Sequence, residues 1–215
     1  MMALDLFTTR MIEFNFLPSV TLHPSRHGAF DAPAPAMPAG YPAAAWHRHW
    51  SRLILRRLDL FERPVLDARR PELALALLPP DRLARLGRYL GAVLCGRRLL
   101  HVIDGDEVRQ LIAFLGADVL EFARRQGAGA TDEVLDQAAN EERRLCADRV
   151  DSLGRAALLT ALRDAGPELS LRAELKIVDE PSQGLAVSPQ ALLDRALDIL
   201  KHIEPLWHSS FPALR

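Results

Sequence analysis

Helical periodicity across residues 80–126 constrains the fold of this chain more than any other feature of its sequence. Apolar side chains recur there every three or four residues, at Leu83, Leu86, Leu90, Leu94, Val108, Leu111, Ile112, Leu115 and Leu120. Between the two sets, Asp104 precedes Gly105 and has Glu107 three residues later, the spacing of a helix N-cap and its reciprocal partner. We therefore predict at least two amphipathic helices, tightly joined, that bury their apolar faces against each other and against neighbouring helices.

Further helices are indicated on both sides of this stretch. Residues 43–61 repeat apolar side chains at helical spacing, beginning with Trp46 and Trp50. Other helices are predicted over 72–78, from Thr131 through the polar run at 140–144, over 151–165, and from Ser188-Pro189 to Pro205. The aromatic residues of the tail, Trp207 and Phe211, are expected to fold back on the body.

The first of the central helices contains two glycines and is followed by a glycine and two arginines. Gly87 and Gly91 lie four residues apart near its apolar stripe, a spacing that lets another helix approach closely. Gly96 is expected to end this helix. The pair Arg97-Arg98 that follows suits the negative end of a helix dipole, and a docking role is the alternative reading.

A small extended element is predicted alongside the helices. Between residues 168 and 178, apolar and polar residues alternate for ten positions, the pattern of a half-buried strand. The N-terminal arm, where Phe14 and Phe16 precede Pro18, is the expected pairing partner. The predicted fold class is mainly α, an irregular helical domain with a small extended or β element near residues 12–17 and 169–178.

Composition divides the chain into three parts. Residues 1–27 are predicted to form an arm packed on the body, and residues 43–215 a single helical domain. Between them, residues 28–42 alternate alanine and proline, which favours extended polyproline II structure and cannot build a core. We expect this segment to be a linker or a surface loop.

The charge balance excludes some partners. The formal net charge of the 215 residues is −1, whereas nucleic acids and acidic membrane surfaces generally select a basic excess. The longest apolar runs fall far short of the roughly 20 residues that span a bilayer, and the N-terminus lacks the apolar core of a signal peptide. We therefore expect a soluble, cytoplasmic protein.

No motif for catalysis or cofactor binding is present in the sequence. Phosphate-binding glycine loops, zinc-protease motifs and nucleophile elbows are all missing, and the acidic run at 104–107 is explained by a helix cap. Cys95 and Cys146 are predicted to be buried thiols, with a single disulfide as the alternative. His23 and His27 have no carboxylate or cysteine nearby to complete a metal site. We expect no enzyme activity, no cofactor and no metal.

Aromatic and arginine side chains supply the candidate partner contacts, because both types are enriched at binding hot spots. The candidates are Trp46, Trp50, Arg52, Arg97, Arg98, Trp207 and Phe211. The alternative for the tryptophans of residues 43–61 is that they belong to the core.

The order of several apolar segments resembles the SctK (YscK/PscK-like) family of bacterial type III secretion systems. The matching residues are Phe14, Pro18, Leu22 and His23, then Leu86-Gly87 to Leu90, Leu94-Cys95-Gly96, Val108 to Leu120, Leu153 to Leu162, the LSLRAEL run, and Ile199 to Phe211. Together these segments cover most of the chain outside the alanine–proline linker.

This resemblance implies a non-enzymatic adaptor in the cytoplasmic sorting platform of the injectisome. Such a protein connects the cytoplasmic domain of an SctD-like inner-membrane ring protein to an SctQ-like pod protein, and it lies at the cytoplasmic face of the inner membrane. The alternative is a type III secretion chaperone, or another helical module that binds an extended peptide in an apolar groove. A helical nucleic-acid binder is disfavoured by the net charge.

Overall fold

The chain is mainly α-helical. A computed structural model describes residues 6–30, 42–127, 147–180, 185 and 187–214, except for the side chains of residues 97, 98, 147 and 148, and within these ranges it contains no β-strand. The α-helices are Leu6–Phe16 (α1), Ala43–Arg57 (α2), Leu73–Ala76 (α3), Pro80–Leu94 (α4), Gly96–His101 (α5), Gly105–Leu115 (α6), Ala117–Gly127 (α7), Ala147–Ala161 (α8), Pro167–Glu174 (α9), Pro189–Ile203 (α10) and Pro205–Ser209 (α11). Short 3-10 segments lie at Pro18–Val20, Pro24–Arg26, Gly28–Phe30, Arg163–Ala165 and Pro212–Leu214.

The prediction of an extended element near residues 12–17 and 169–178 is wrong. Residues 12–16 belong to α1, which contains no proline, and Pro18 begins the 3-10 segment that follows it. Residues 169–174 belong to α9, which starts at Pro167. The arm and this segment do meet, because the amide of His23 donates to the carbonyl of Leu175 at 2.9 Å, but the contact is not part of a strand pair.

Several other predictions fall outside the described residues. They concern most of the alanine–proline segment, the helix expected from Thr131, and Cys146. Cys95 is buried, as expected. The helix predicted to end at Gly96 is followed directly by α5. The helix predicted over 151–165 is followed, after Gly166, by α9.

The described chain forms two compact units. The first comprises the described residues among 1–80, 165–181 and 204–215, and the second comprises those among 81–164 and 182–203. No helix in the described ranges combines the length and the apolarity that crossing a bilayer requires.

In the first unit, the core is built around α3. Every residue from Leu73 to Leu78 is buried, so the carbonyls at the end of this short helix need internal donors. Lys176 donates to the carbonyls of Ala76 and Leu78 at 2.7 and 3.1 Å, and the indole of Trp207 donates to that of Ala74 at 2.9 Å. The tail therefore folds back on this unit, as predicted.

In the second unit, α4 crosses α8 at glycine. A Cβ on Gly91 would overlap the carbonyl oxygen of Val150, and one on Gly154 would overlap that of Gly87. The close approach predicted from the sequence is therefore confirmed. Arg88 of α4 donates to both carboxylate oxygens of Asp151 at 2.9 Å beside this crossing.

The turns around α6 follow from local chemistry. The carboxylate of Asp104 accepts hydrogen bonds from the amides of Asp106 and Glu107 at 2.7 and 3.2 Å, which confirms the predicted N-cap. Gly116 joins α6 to α7 with a backbone φ of 93°, a conformation that residues other than glycine rarely adopt.

Candidate interaction surfaces

A row of arginines lies along the exposed side of α2. Arg48, Arg52 and Arg56 follow one another at i, i+4 and i+8, and all three are exposed. We call these three residues the basic ridge. The guanidinium of Arg56 lies 5.2 Å from the centroid of the Phe61 ring, within the range of a cation–π contact.

The opposite side of α2 fixes the orientation of the basic ridge. Trp50, Ser51, Ile54 and Leu55 are buried there. The amide of Ser19 donates to the hydroxyl of Ser51 at 3.2 Å, so the neighbouring 3-10 segment is tied to the same side of the helix. With this side committed to the core of the first unit, the arginines face solvent.

The structure distributes the predicted contact residues between core and surface. Trp50, Trp207 and Phe211 are buried in the first unit, and the Trp207 and Phe211 ring centroids lie 5.2 Å apart. Trp46 is half-buried on α2, and Arg52 is exposed on the same helix. The side chains of Arg97 and Arg98 lie outside the described part of the chain, so the structure gives them no placement.

Sequence reasoning missed two members of the basic ridge. Of the three arginines, only Arg52 is among the candidate contacts that the sequence predicts. The signal was present in the spacing, because α2 repeats arginine every four residues and contains no aspartate or glutamate.

A second surface lies in the second unit, where α6 and α7 form a shallow apolar groove of about 360 Å³. Its lining residues are Val108, Ile112, Ala117, Leu120, Glu121, Arg124 and Arg125. Ile112 and Phe114 of α6 are 41% and 66% exposed, and Ile103, just before the helix, is 92% exposed. Of these three side chains only Ile112 lines the groove, and an exposed apolar side chain in an apolar groove is typical of an interaction surface.

The buried side of α6 and one arginine of α7 hold this groove in shape. Leu111 and Leu115 are buried, which leaves Ile112 and Phe114, two residues apart, on either side of this buried stripe. Arg124 donates to the carbonyls of Leu99 and Val102 at 3.3 and 3.0 Å, so it connects α7 to the end of α5.

A polar cluster lies at the start of α7. The hydroxyl of Tyr89 donates to Asp118 Oδ2 at 2.6 Å, and Arg85 lies 3.5 Å from the same oxygen. The hydrogen bond from Tyr89 lowers the pKa of Asp118, and burial raises the pKa of Tyr89. At neutral pH the carboxylate is therefore ionised and the phenol protonated, which favours a static hydrogen bond over proton transfer. Within the described ranges, no group of three or more metal-ligating side chains is assembled.

Comparison with known proteins gives the family. The model of the YscK family, described as YOP proteins translocation protein K, matches residues 12–195. The chain belongs to the YscK family. YscK proteins are type III secretion proteins, so the resemblance to SctK proteins found in the sequence is confirmed. No curated protein and no solved structure matches the chain.

The YscK match includes both candidate surfaces. The basic ridge and the α6–α7 groove lie within residues 12–195, as does the polar cluster around Asp118. Trp207 and Phe211 lie beyond the matched range.

Proposed function

We propose that this YscK-family protein is a non-enzymatic adaptor of the cytoplasmic sorting platform of a type III secretion system. In this role it connects the cytoplasmic domain of an SctD-like ring protein to an SctQ-like pod protein. It works at the cytoplasmic face of the inner membrane, without inserting into the bilayer.

The observation that carries this proposal is the family match, which extends across residues of both compact units. An adaptor requires at least two surfaces that different partners can bind. The first unit exposes a basic helix, and the second exposes an apolar groove with a mixed-charge border. Because the two surfaces differ in chemistry, they suit two different partners, as selective recognition requires.

Reconstitution with purified components tests the adaptor role. The full chain is mixed with the soluble cytoplasmic domain of the ring protein and with the pod protein from the same bacterium, in pairs and together. We expect two binary complexes and one ternary complex by size-exclusion chromatography with light scattering. An adaptor that binds neither component, or that binds only one at a time, is inconsistent with the proposal.

The α6–α7 groove supports a second candidate function, the binding of an extended peptide from a secreted substrate. A chaperone of this kind would co-purify with secreted proteins and would leave the ring and pod proteins unbound. Affinity purification of the full chain from cells that assemble the secretion machine distinguishes the two functions. Recovery of ring and pod proteins supports the adaptor, whereas recovery of secreted substrates alone supports the chaperone.

A further inference from the structure

The charge of the basic ridge is not balanced by the part of the chain that the structure describes. Helix α2 contains no acidic residue. Within the described ranges, none of the three arginines forms an ion pair, and the Nε of Arg48 donates only to the carbonyl of Ala44 one turn earlier. Like charges four residues apart destabilise an isolated helix by about 0.2–0.5 kcal/mol per pair, so the row weakens the helix that carries it.

Two other arginines of the first unit are paired with carboxylates. Arg26 contacts Glu174 at 3.1 Å and Asp179 at 3.4 Å, and Arg70 contacts Glu168 at 3.2 Å. This unit therefore does place carboxylates beside arginines where they stabilise its fold. The basic ridge has no such carboxylate within the described ranges, so its three guanidinium groups are available to an acidic group of another molecule.

Apolar side chains accompany the basic ridge. Leu53 is 42% exposed next to Arg52, and Phe61 is 41% exposed under the guanidinium of Arg56. A ligand that fits this surface presents negative charge together with apolar groups. Arg48 and Arg56 are eight residues apart, about 12 Å along the helix axis, so acidic residues at i, i+4 and i+8 on a second helix have the matching repeat.

We propose that the basic ridge binds an acidic amphipathic helix of a protein partner. The inference rests on the proposed function in one respect, namely that this partner belongs to the sorting platform. A protein helix fits better than a nucleic acid, because the chain has a net charge of −1 and binding to phosphate backbones generally requires a basic excess. It fits better than a membrane, because the strongly apolar side of α2 is already buried and only Leu53 and Phe61 flank the arginines.

The test uses the full chain and a labelled synthetic helix that carries glutamate at i, i+4 and i+8 and leucine on an adjacent stripe. Its control peptide has glutamine in place of glutamate. Fluorescence anisotropy at low salt is expected to show binding of the glutamate peptide only. The double variant Arg48→Glu/Arg52→Glu is expected to weaken this binding about tenfold or more, because it replaces attraction to the glutamates by repulsion. Added salt should weaken the binding of the wild type, because salt screens attraction between exposed charges.

Two double variants serve as controls, one for the change in net charge and one for the type of positively charged side chain. Arg69→Glu/Lys201→Glu makes the same change in net charge at exposed positions outside α2 and is expected to leave binding unchanged. Arg48→Lys/Arg52→Lys retains the charge and is expected to stay within about threefold of the wild type, in keeping with a screened surface contact. Equal weakening by the Glu variants at both places, or no weakening by either, overturns the proposal.

Further experiments distinguish the possible ligands of the basic ridge. They also separate the inference about the basic ridge from the proposed adaptor role. Stronger binding to phosphatidylglycerol vesicles or to duplex DNA than to the glutamate peptide overturns the choice of a protein helix. In the reconstitution with ring and pod proteins, a wild type that binds both while Arg48→Glu/Arg52→Glu binds them equally well overturns the inference and leaves the adaptor role standing. A chain that binds the glutamate peptide through the basic ridge, yet binds neither platform protein, overturns the adaptor role alone.

Discussion

The Nζ atom of Lys176 lies 2.7 Å from the carbonyl oxygen of Ala76, and the whole side chain is buried. A second carbonyl, that of Leu78, accepts from the same nitrogen, and the ring of Phe14 lies 5.2 Å away. A neutral amine has two hydrogens to donate to these two carbonyls. The burial that disfavours the charged form therefore leaves the hydrogen bonds intact.

Lys176 makes the stability of the chain depend on pH. Burial lowers the pKa of its amine to about 7, with Arg10 of α1 adding to the effect and Glu13 opposing it. The unfolded chain, with a lysine pKa of about 10.4, then binds more protons than the folded one between these two values. The free energy of unfolding should therefore rise from pH 7 to pH 9, by at most about 1.4 kcal/mol per pH unit.

Urea unfolding at pH 6, 7, 8 and 9 measures this dependence. Lys176→Met should remove the rise, whereas Lys201→Met, at the exposed lysine of α10, should retain it. Below pH 7 the free energies of unfolding of the two variants should change with pH in parallel. A wild-type slope that survives in Lys176→Met would show that another group is responsible.

The same lysine explains why the strand predicted near residues 169–178 is wrong. On α9 and the turn after it, Leu169, Arg172, Ala173 and Lys176 are buried, at i, i+3, i+4 and i+7. This is a helical pattern, but two of its four members are cations, which periodicity analysis counts as solvent-facing. Arg172 donates to the carbonyls of Leu60 and Glu168 at 2.8 and 2.6 Å. A buried guanidinium needs such acceptors, and the carbonyl of Leu60, which is distant in the chain, cannot be read from the segment itself.

Gly91 should be intolerant of any side chain. A Cβ there meets the backbone of Val150, and a backbone cannot move aside as the end of a side chain can. Gly91→Ala should lower the free energy of unfolding by at least about 2 kcal/mol, within the range of overpacked cores. In parallel, Gly28→Ala should change it by less than about 0.5 kcal/mol, because nothing lies within 4 Å of a Cβ at that position. Similar values for the two variants in urea unfolding would contradict the close crossing of α4 and α8.

The cap of α6 offers a test of a feature that the sequence predicted correctly. Asp104→Ala removes the acceptor of the Asp106 and Glu107 amides and should destabilise the protein by about 1 kcal/mol, whereas Asp104→Asn should cost less because its side-chain oxygen still accepts. Thermal unfolding followed by circular dichroism compares the two. Equal losses would mean that the charge of Asp104, and not its hydrogen bonds, stabilises the helix.

The candidate surfaces were harder to predict than the helices. Helices follow from local spacing, and the apolar stripes of α4 and α10 are buried as expected. Ile112 fits the same stripe in the sequence, but α6 turns it outward to an exposed fraction of 41%. Which apolar residue of a stripe lies at its edge depends on how neighbouring helices pack. Trp50 shows the converse, since a residue type common at interfaces is buried here among Leu22, Phe30, Ile54 and Leu175.

The exposed position of Ile112 leads to a prediction about partner binding. Ile112→Glu places a charge in the α6–α7 groove and should weaken the binding of whichever platform protein uses the groove by about tenfold or more, since a buried unpaired charge at an interface is costly. Its effect on stability should stay within about 1 kcal/mol, because the side chain already meets solvent. Gln110→Glu adds the same charge at an exposed position of α6 and should leave binding unchanged. Isothermal titration with the ring domain and with the pod protein measures both variants, and equal affinities of Ile112→Glu and Gln110→Glu for both partners would exclude the groove as a binding surface.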